Sequence, residues 1–152
     1  MGSWSKFEQL SWSERWLFVQ ALLLLPLTAL ALQLFGFRRL QSALASLAPS
    51  EESQEQVDTL VQQAYVITKL VKVAARIGPY HANCLQQSLV LWWLLRRQGI
   101  ETDIRIGVRK ETSPFEAHAW VEYLGLVLND SADVYQRFAV FDRVISLHRG
   151  EV

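Results

Sequence analysis

Asn83-Cys84-Leu85-Gln86-Gln87-Ser88-Leu89 is the stretch on which the reading of the fold turns. It holds the only cysteine of the chain and runs straight into Val90-Leu91-Trp92-Trp93-Leu94-Leu95, closed by Arg96-Arg97-Gln98-Gly99. Asn is a favoured N-cap because its side-chain oxygen accepts from backbone N–H groups that the first helical turn leaves unpaired. Gly just past the last turn is the natural C-cap. The spacing predicts a helix that begins at Cys84 and stops before Gly99. Cys84 then sits in the first turn, where the partial positive charge of the helix favours a thiolate. A lone cysteine is equally a buried structural residue. A catalytic reading needs a base and an orienting group elsewhere in the chain.

The bulk composition narrows the field. With 152 residues the chain can bury one real core, and 51% of it is hydrophobic. Lys+Arg and Asp+Glu number 15 each, and no basic stripe appears, which argues against phosphate-neutralising nucleic-acid binding. A single cysteine excludes an internal disulfide and a cysteine-rich zinc site, and it suits a reducing, cytoplasmic setting. His81, His118 and Asp130 lack the sequence-close pair expected of zinc ligands. No metal or cofactor is expected.

Upstream, Val57, Leu60, Val61, Ala64, Ile67, Val71, Ala74 and Ala75 recur at helical spacing. Glu51, Glu52 and Glu55 suit the first turn of that helix, and Gly78-Pro79 ends it. Further back, no charge occurs from Trp16 to Phe37. Two readings of this Leu-rich stretch stand side by side. One is an amphipathic or core helix pair, with Pro26 as the kink or separation point. The other is a membrane contact through residues 16–37, peripheral or spanning. The chain divides into a helical Leu-rich segment, 1–50, and a core, 51–152.

Downstream the period changes. Thr102 to Arg109 alternates, with Ile104, Ile106 and Val108 facing inward. Ala117 to Tyr123 and Leu126 to Asp130 read as two further strands, and Arg137 to Asp142 as another. The midpoint between His118 and Asp130 is Leu124. A three-residue loop Tyr123-Leu124-Gly125, with Gly in a G1 bulge, would oppose Glu122 to Leu126, Trp120 to Leu128 and His118 to Asp130. Directly opposed side chains stand about 5 Å apart, so Asp130 could orient His118. Taken singly, His118 is as well explained as a packed strand residue and Asp130 as a turn residue. Together with Cys84 they form a nucleophile, base and orienter. Asp103 and Asp133 are the alternative carboxylates.

Asn83-Cys84-Leu85, Ser88-Leu89, the run Leu91 to Ile100, Arg105-Ile106-Gly107-Val108, His118-Ala119-Trp120-Val121-Glu122 and Asn129-Asp130 resemble the lasso-peptide biosynthesis B2 proteins. These are transglutaminase-like cysteine proteases. The resemblance covers about residues 57 to 145 and extends to Phe37-Arg38-Arg39-Leu40. It implies an α+β fold, with N-terminal helices followed by a papain/transglutaminase-like core in which the cysteine-bearing helix packs on a small antiparallel sheet. It also implies removal of the leader peptide from a lasso precursor, with a separate B1-type leader-recognition protein and a lasso cyclase as partners. Residues 1 to 50 look helical, unlike a leader-recognition domain, so the chain is expected to be the protease alone. A transglutaminase-like acyltransferase and a non-catalytic scaffold are the competing functions.

Within the implied mechanism the Cys84 N–H is the first oxyanion donor, and Asn83 and His81 are candidates for the second. Gln86 and Gln87 read as surface residues. Trp120 shares a face with His118 and either contacts substrate or packs across strands. Trp92 and Trp93 read as packing, and His148 as a solvated histidine.

Overall fold

The computed structural model describes residues 10–47, 57–109 and 115–141. Three long helices come first, α1 Trp12–Leu47, α2 Val57–Ile77 and α3 Cys84–Arg97. The strands β1 Asp103–Arg109, β2 Ala117–Tyr123, β3 Leu126–Val127 and β4 Phe138–Val140 follow, with one helical turn, α4 Val134–Arg137, leading into β4. They form an antiparallel sheet in the order β3-β2-β1-β4. The cysteine-headed helix α3 packs on β2. This is the expected α+β arrangement.

Helix α1 is interrupted at Gly36 rather than at Pro26. Gly36 has φ 74° and ψ 167°, a conformation open to glycine, whereas Pro26 lies inside the helix. Proline weakens a helix by a lost hydrogen bond and a steric clash. Burial of Leu17, Phe18, Ala21, Leu25 and Ala29 on both sides of Pro26 offsets that. The buried stripe faces α2 and α3 and shares one core with Leu60, Ile67, Leu89 and Leu91. The outward face is also apolar, with Leu23, Leu27 and Leu34 exposed, so α1 is not amphipathic in the usual sense.

Helix α2 buries Leu60, Ala64, Ile67, Val71 and Ala74 along one face, as its period requires. Glu51, Glu52 and Glu55 lie outside the described residues. The Gly78 N–H donates to Ala74 O at 2.9 Å, and a Cβ at Gly78 would come within 2.7 Å of that oxygen. Helix α3 ends as its sequence suggests: Gly99 has φ 73°, and Ile100 N donates back to Leu95 O at 3.0 Å. Trp92 is buried and donates from Nε1 to Thr102 O at 3.0 Å, while Trp93 packs under Arg97, so both are packing residues.

The β2–β3 hairpin departs from the expected register. Tyr123 pairs with Leu126 and Glu122 with Val127. The loop is Leu124-Gly125, with φ 48° and 79°, the two successive positive values of a type I′ turn. Leu is a costly residue in the left-handed region, which is why its sequence points to a longer loop with Gly alone at positive φ. The two-residue turn wins because its twist matches that of the strands. Strand β3 stops at Val127, far short of Asp130. Strand β4 pairs with β1, Phe138 opposite Arg109 and Val140 opposite Gly107. Arg137 ends α4 instead of starting this strand, and Asp142 and His148 lie outside the described residues.

Candidate active site

Cys84 is the first residue of α3 and is half-buried. Asn83 caps the helix: its Oδ1 accepts from Gln86 N at 3.0 Å, and Asn83 N donates to Gln86 Oε1 at 3.0 Å. This reciprocal capping box makes Gln86 a buried structural residue rather than a surface one. Its Nε2 also donates to Tyr80 Oη at 3.1 Å, and Gln87 Nε2 donates to Ala82 O at 2.8 Å. The segment ahead of the cysteine is thus pinned by both glutamines. The cap occupies the Oδ1 and N–H of Asn83, and His81 lies exposed. The Cys84 thiol makes no hydrogen bond to another described residue.

His118 Nε2 is hydrogen-bonded to Asp130 Oδ2. They are not directly opposed across a ladder, because β3 has already ended. The chain leaves the sheet after Leu128 and turns Asp130 back toward His118. The other carboxylate oxygen, Oδ1, accepts from Ser131 N at 2.7 Å and from Arg137 Nη2 at 2.8 Å. Burial pushes the Asp130 carboxyl up. The Ser131 N–H, His118 and Arg137 outweigh it and hold the pKa below the ordinary carboxylate value. Asp130 is therefore an anion that can only accept, and His118 Nε2–H must donate. That leaves His118 Nδ1 as the basic nitrogen. Asp133 is occupied with Ser131 and Arg137, and Asp103 stands 3.9 Å from Arg105.

A chain of hydrogen bonds ties the cysteine helix to the histidine strand. Ser88 Oγ donates to Ala119 O at 3.0 Å, and Asn129 Nδ2 donates to Ser88 Oγ at 2.9 Å. Asn129 Oδ1 in turn accepts from Val121 N at 2.7 Å. The early end of β3 would leave Ala119 O and Val121 N without ladder partners, and these two side chains supply them. Ser88 lies four residues, about 6 Å of helical rise, beyond Cys84. Ala119 adjoins His118 and Asn129 adjoins Asp130. The strut therefore joins the three segments that carry Cys84, His118 and Asp130.

The His118 ring is stacked on Phe138 at 4.9 Å between centroids and lies 6.0 Å from the Trp120 ring. Gly107, opposite His118 in the register, gives these rings room: a Cβ there would come within 3.1 Å of Trp120 and of Phe138. Trp120 is fully buried and donates from Nε1 to Glu122 Oε1 at 2.7 Å. Buried Glu122 also accepts from Arg105 Nε at 3.1 Å and from Tyr135 Oη. Trp120 is thus a wall behind His118, which favours the cross-strand packing alternative. Among the described residues, no group of three or more His, Cys, Asp or Glu side chains could hold a metal ion.

A family model described as the Transglutaminase-like superfamily matches residues 21–143. The chain belongs to that superfamily. Its transglutaminase-like region begins inside α1 and takes in the sheet. The microcin J25-processing protein McjB of Escherichia coli is 30% identical over 74 residues, which cover 49% of this chain and 35% of the relative. No solved structure matches the chain.

Ser88, Asn129, Arg137, Glu122 and Phe138 hold or surround His118 and Asp130, yet no motif or spacing in the sequence marks them. Ser88, Glu122 and Asn129 lie within segments that carry the family resemblance, but no pattern marks a role for them. The departure of the chain from the ladder, which gives Ser88 and Asn129 their partners, has no local sequence signal.

Proposed function

We propose that this protein is a cysteine endopeptidase that removes the leader peptide from a lasso precursor. The observation that carries the reading is the anionic Asp130 holding His118, on a strand bonded through Ser88 to the helix that starts at Cys84. Membership of the transglutaminase-like superfamily and the similarity to a microcin-processing protein support it. His118 Nδ1 takes the Cys84 proton, and the sulfur attacks the scissile carbonyl of the leader. The oxyanion is stabilised by the Cys84 N–H at the helix start, with Asn83 Nδ2 or His81 as second donor. The tetrahedral adduct collapses to a thioester, and His118⁺ protonates the departing amine, the new N-terminus of the core peptide. Water, deprotonated by His118, then releases the leader as a free acid.

In this reading residues 51–152 carry the chemistry and the helical segment within 1–50 buttresses it. The working partners are the precursor's leader region, a separate B1-type leader-recognition protein and a lasso cyclase, in the cytoplasm. The test mixes the protein with a leader-recognition partner and a precursor, and reads masses. Wild type yields leader acid plus core, and Cys84→Ala yields neither. Equal cleavage by Cys84→Ala refutes the assignment. A leader joined through a new amide to an added amine, in place of the acid, would identify an acyltransferase instead.

A further inference from the structure

The outward face of α1 carries an apolar stripe from Trp16 to Leu34. Trp16, Val19, Leu23, Leu27, Leu30 and Leu34 are between 41% and 66% exposed. They recur every three or four residues, so they form one stripe about 27 Å long at 1.5 Å per residue. Leu17, Phe18, Ala21, Leu25 and Ala29 occupy the opposite side and are buried in the core. The helix is long and apolar enough to cross a bilayer by length and composition. Its inner face is committed to α2 and α3, however, so it cannot be surrounded by lipid without taking the core apart. What it can do is lie flat.

The charges around the stripe say what it lies on. Within α1 the charged residues are Glu14, which is bonded back to Ser11, and the basic Arg15, Arg38 and Arg39, a basic excess along the stripe. Arg15 stands beside Trp12, and Arg38 and Arg39 are exposed just past Gly36. A second copy of the same face is a poor occupant. Antiparallel pairing would set Arg15 against Arg38 and Arg39 of the other copy, and parallel pairing would set like against like. An anionic lipid surface meets both features, since it accepts apolar side chains at the acyl boundary and attracts basic groups beside them. We propose that the outward face of α1 docks the protein on anionic bilayers, with the helix in the membrane plane and the sheet on the far side. Docking does not depend on the protease reading, and its test needs no precursor.

The experiment floats the full-length protein with phosphatidylcholine vesicles with and without phosphatidylglycerol, in low and high salt. Wild type should rise with the anionic vesicles, and salt should weaken this. Leu23→Glu/Leu27→Glu, both surface positions, should lower the bound fraction by about tenfold or more, and Arg38→Glu/Arg39→Glu by about tenfold. Circular dichroism should show both variants folded, and Leu124→Glu, at the exposed hairpin tip, should bind like wild type. No binding to either vesicle overturns the proposal, as does binding that Leu23→Glu/Leu27→Glu leaves unchanged. A lipid-free dimer that Leu23→Glu/Leu27→Glu converts to monomer would also overturn it and make the stripe a homotypic interface.

Discussion

His118 has two ring nitrogens, and the Asp130 carboxylate decides which of them is basic. With Nε2–H donated to Asp130, the lone pair sits on Nδ1. Asp130→Asn keeps the shape but offers an N–H, which can turn the ring to the wrong tautomer. In the proposed peptidase role, its kcat for leader cleavage should fall by roughly 10²–10⁴, with little change in KM. The same substitution has a signature in stability. The folded-state pKa of Asp130 lies below its unfolded value. Its contribution is therefore fully present above the unfolded pKa, near 4, and is lost as the pH falls through the folded one. Urea melts of wild type and Asp130→Asn should differ most at about pH 7, and the gap should narrow progressively as the pH falls below about 4. A gap that does not narrow on acidification would mean that the carboxylate is not held by its neighbours.

The strut between α3 and β2 replaces a strand that is missing. Asn129→Ala would leave the Val121 N–H without its side-chain acceptor and free Ser88 from one partner. A buried group left unsatisfied costs about 1–3 kcal/mol. Denaturant melts of Asn129→Ala should show a loss of that size, and a change under about 0.5 kcal/mol would mean that water takes over the role. This element also shows where sequence reasoning stops. The start of α3 was legible because Asn83 and Gly99 are local signals at both ends of one apolar run. The closeness of His118 and Asp130 was legible too, but through a mistaken register. The spacing implies a ladder running on to Asp130, whereas the ladder ends at Val127 and side chains finish the work. Leu124 at φ 48° hides a two-residue turn, because the common signals for that turn are Asn, Asp or Gly. Arg137 reaches Asp130 across a connection whose path no local pattern gives.

At the scale of the whole molecule the Leu-rich helix is a structural part of the core. Sequence could not say which of its leucines were buried, because apolar residues surround the helix on all sides and no polar face marks the outside. The packing resolves it: Leu25 is 2% exposed, and Leu27, two residues on, is 57% exposed. These leucines give matched substitutions on one helix. Leu25→Ala removes a side chain from the core shared with α2 and α3 and should cost about 2–5 kcal/mol. Leu27→Ala should stay within about 0.5 kcal/mol in lipid-free buffer. The decisive comparison follows unfolding by far-UV circular dichroism, which reports mainly the helices, and by hydrogen exchange at the β2 amides. If α1 and the sheet belong to one cooperative unit, Leu25→Ala lowers both by the same amount. A β2 exchange free energy unmoved by Leu25→Ala would show that the helical segment can come away while the site stays folded.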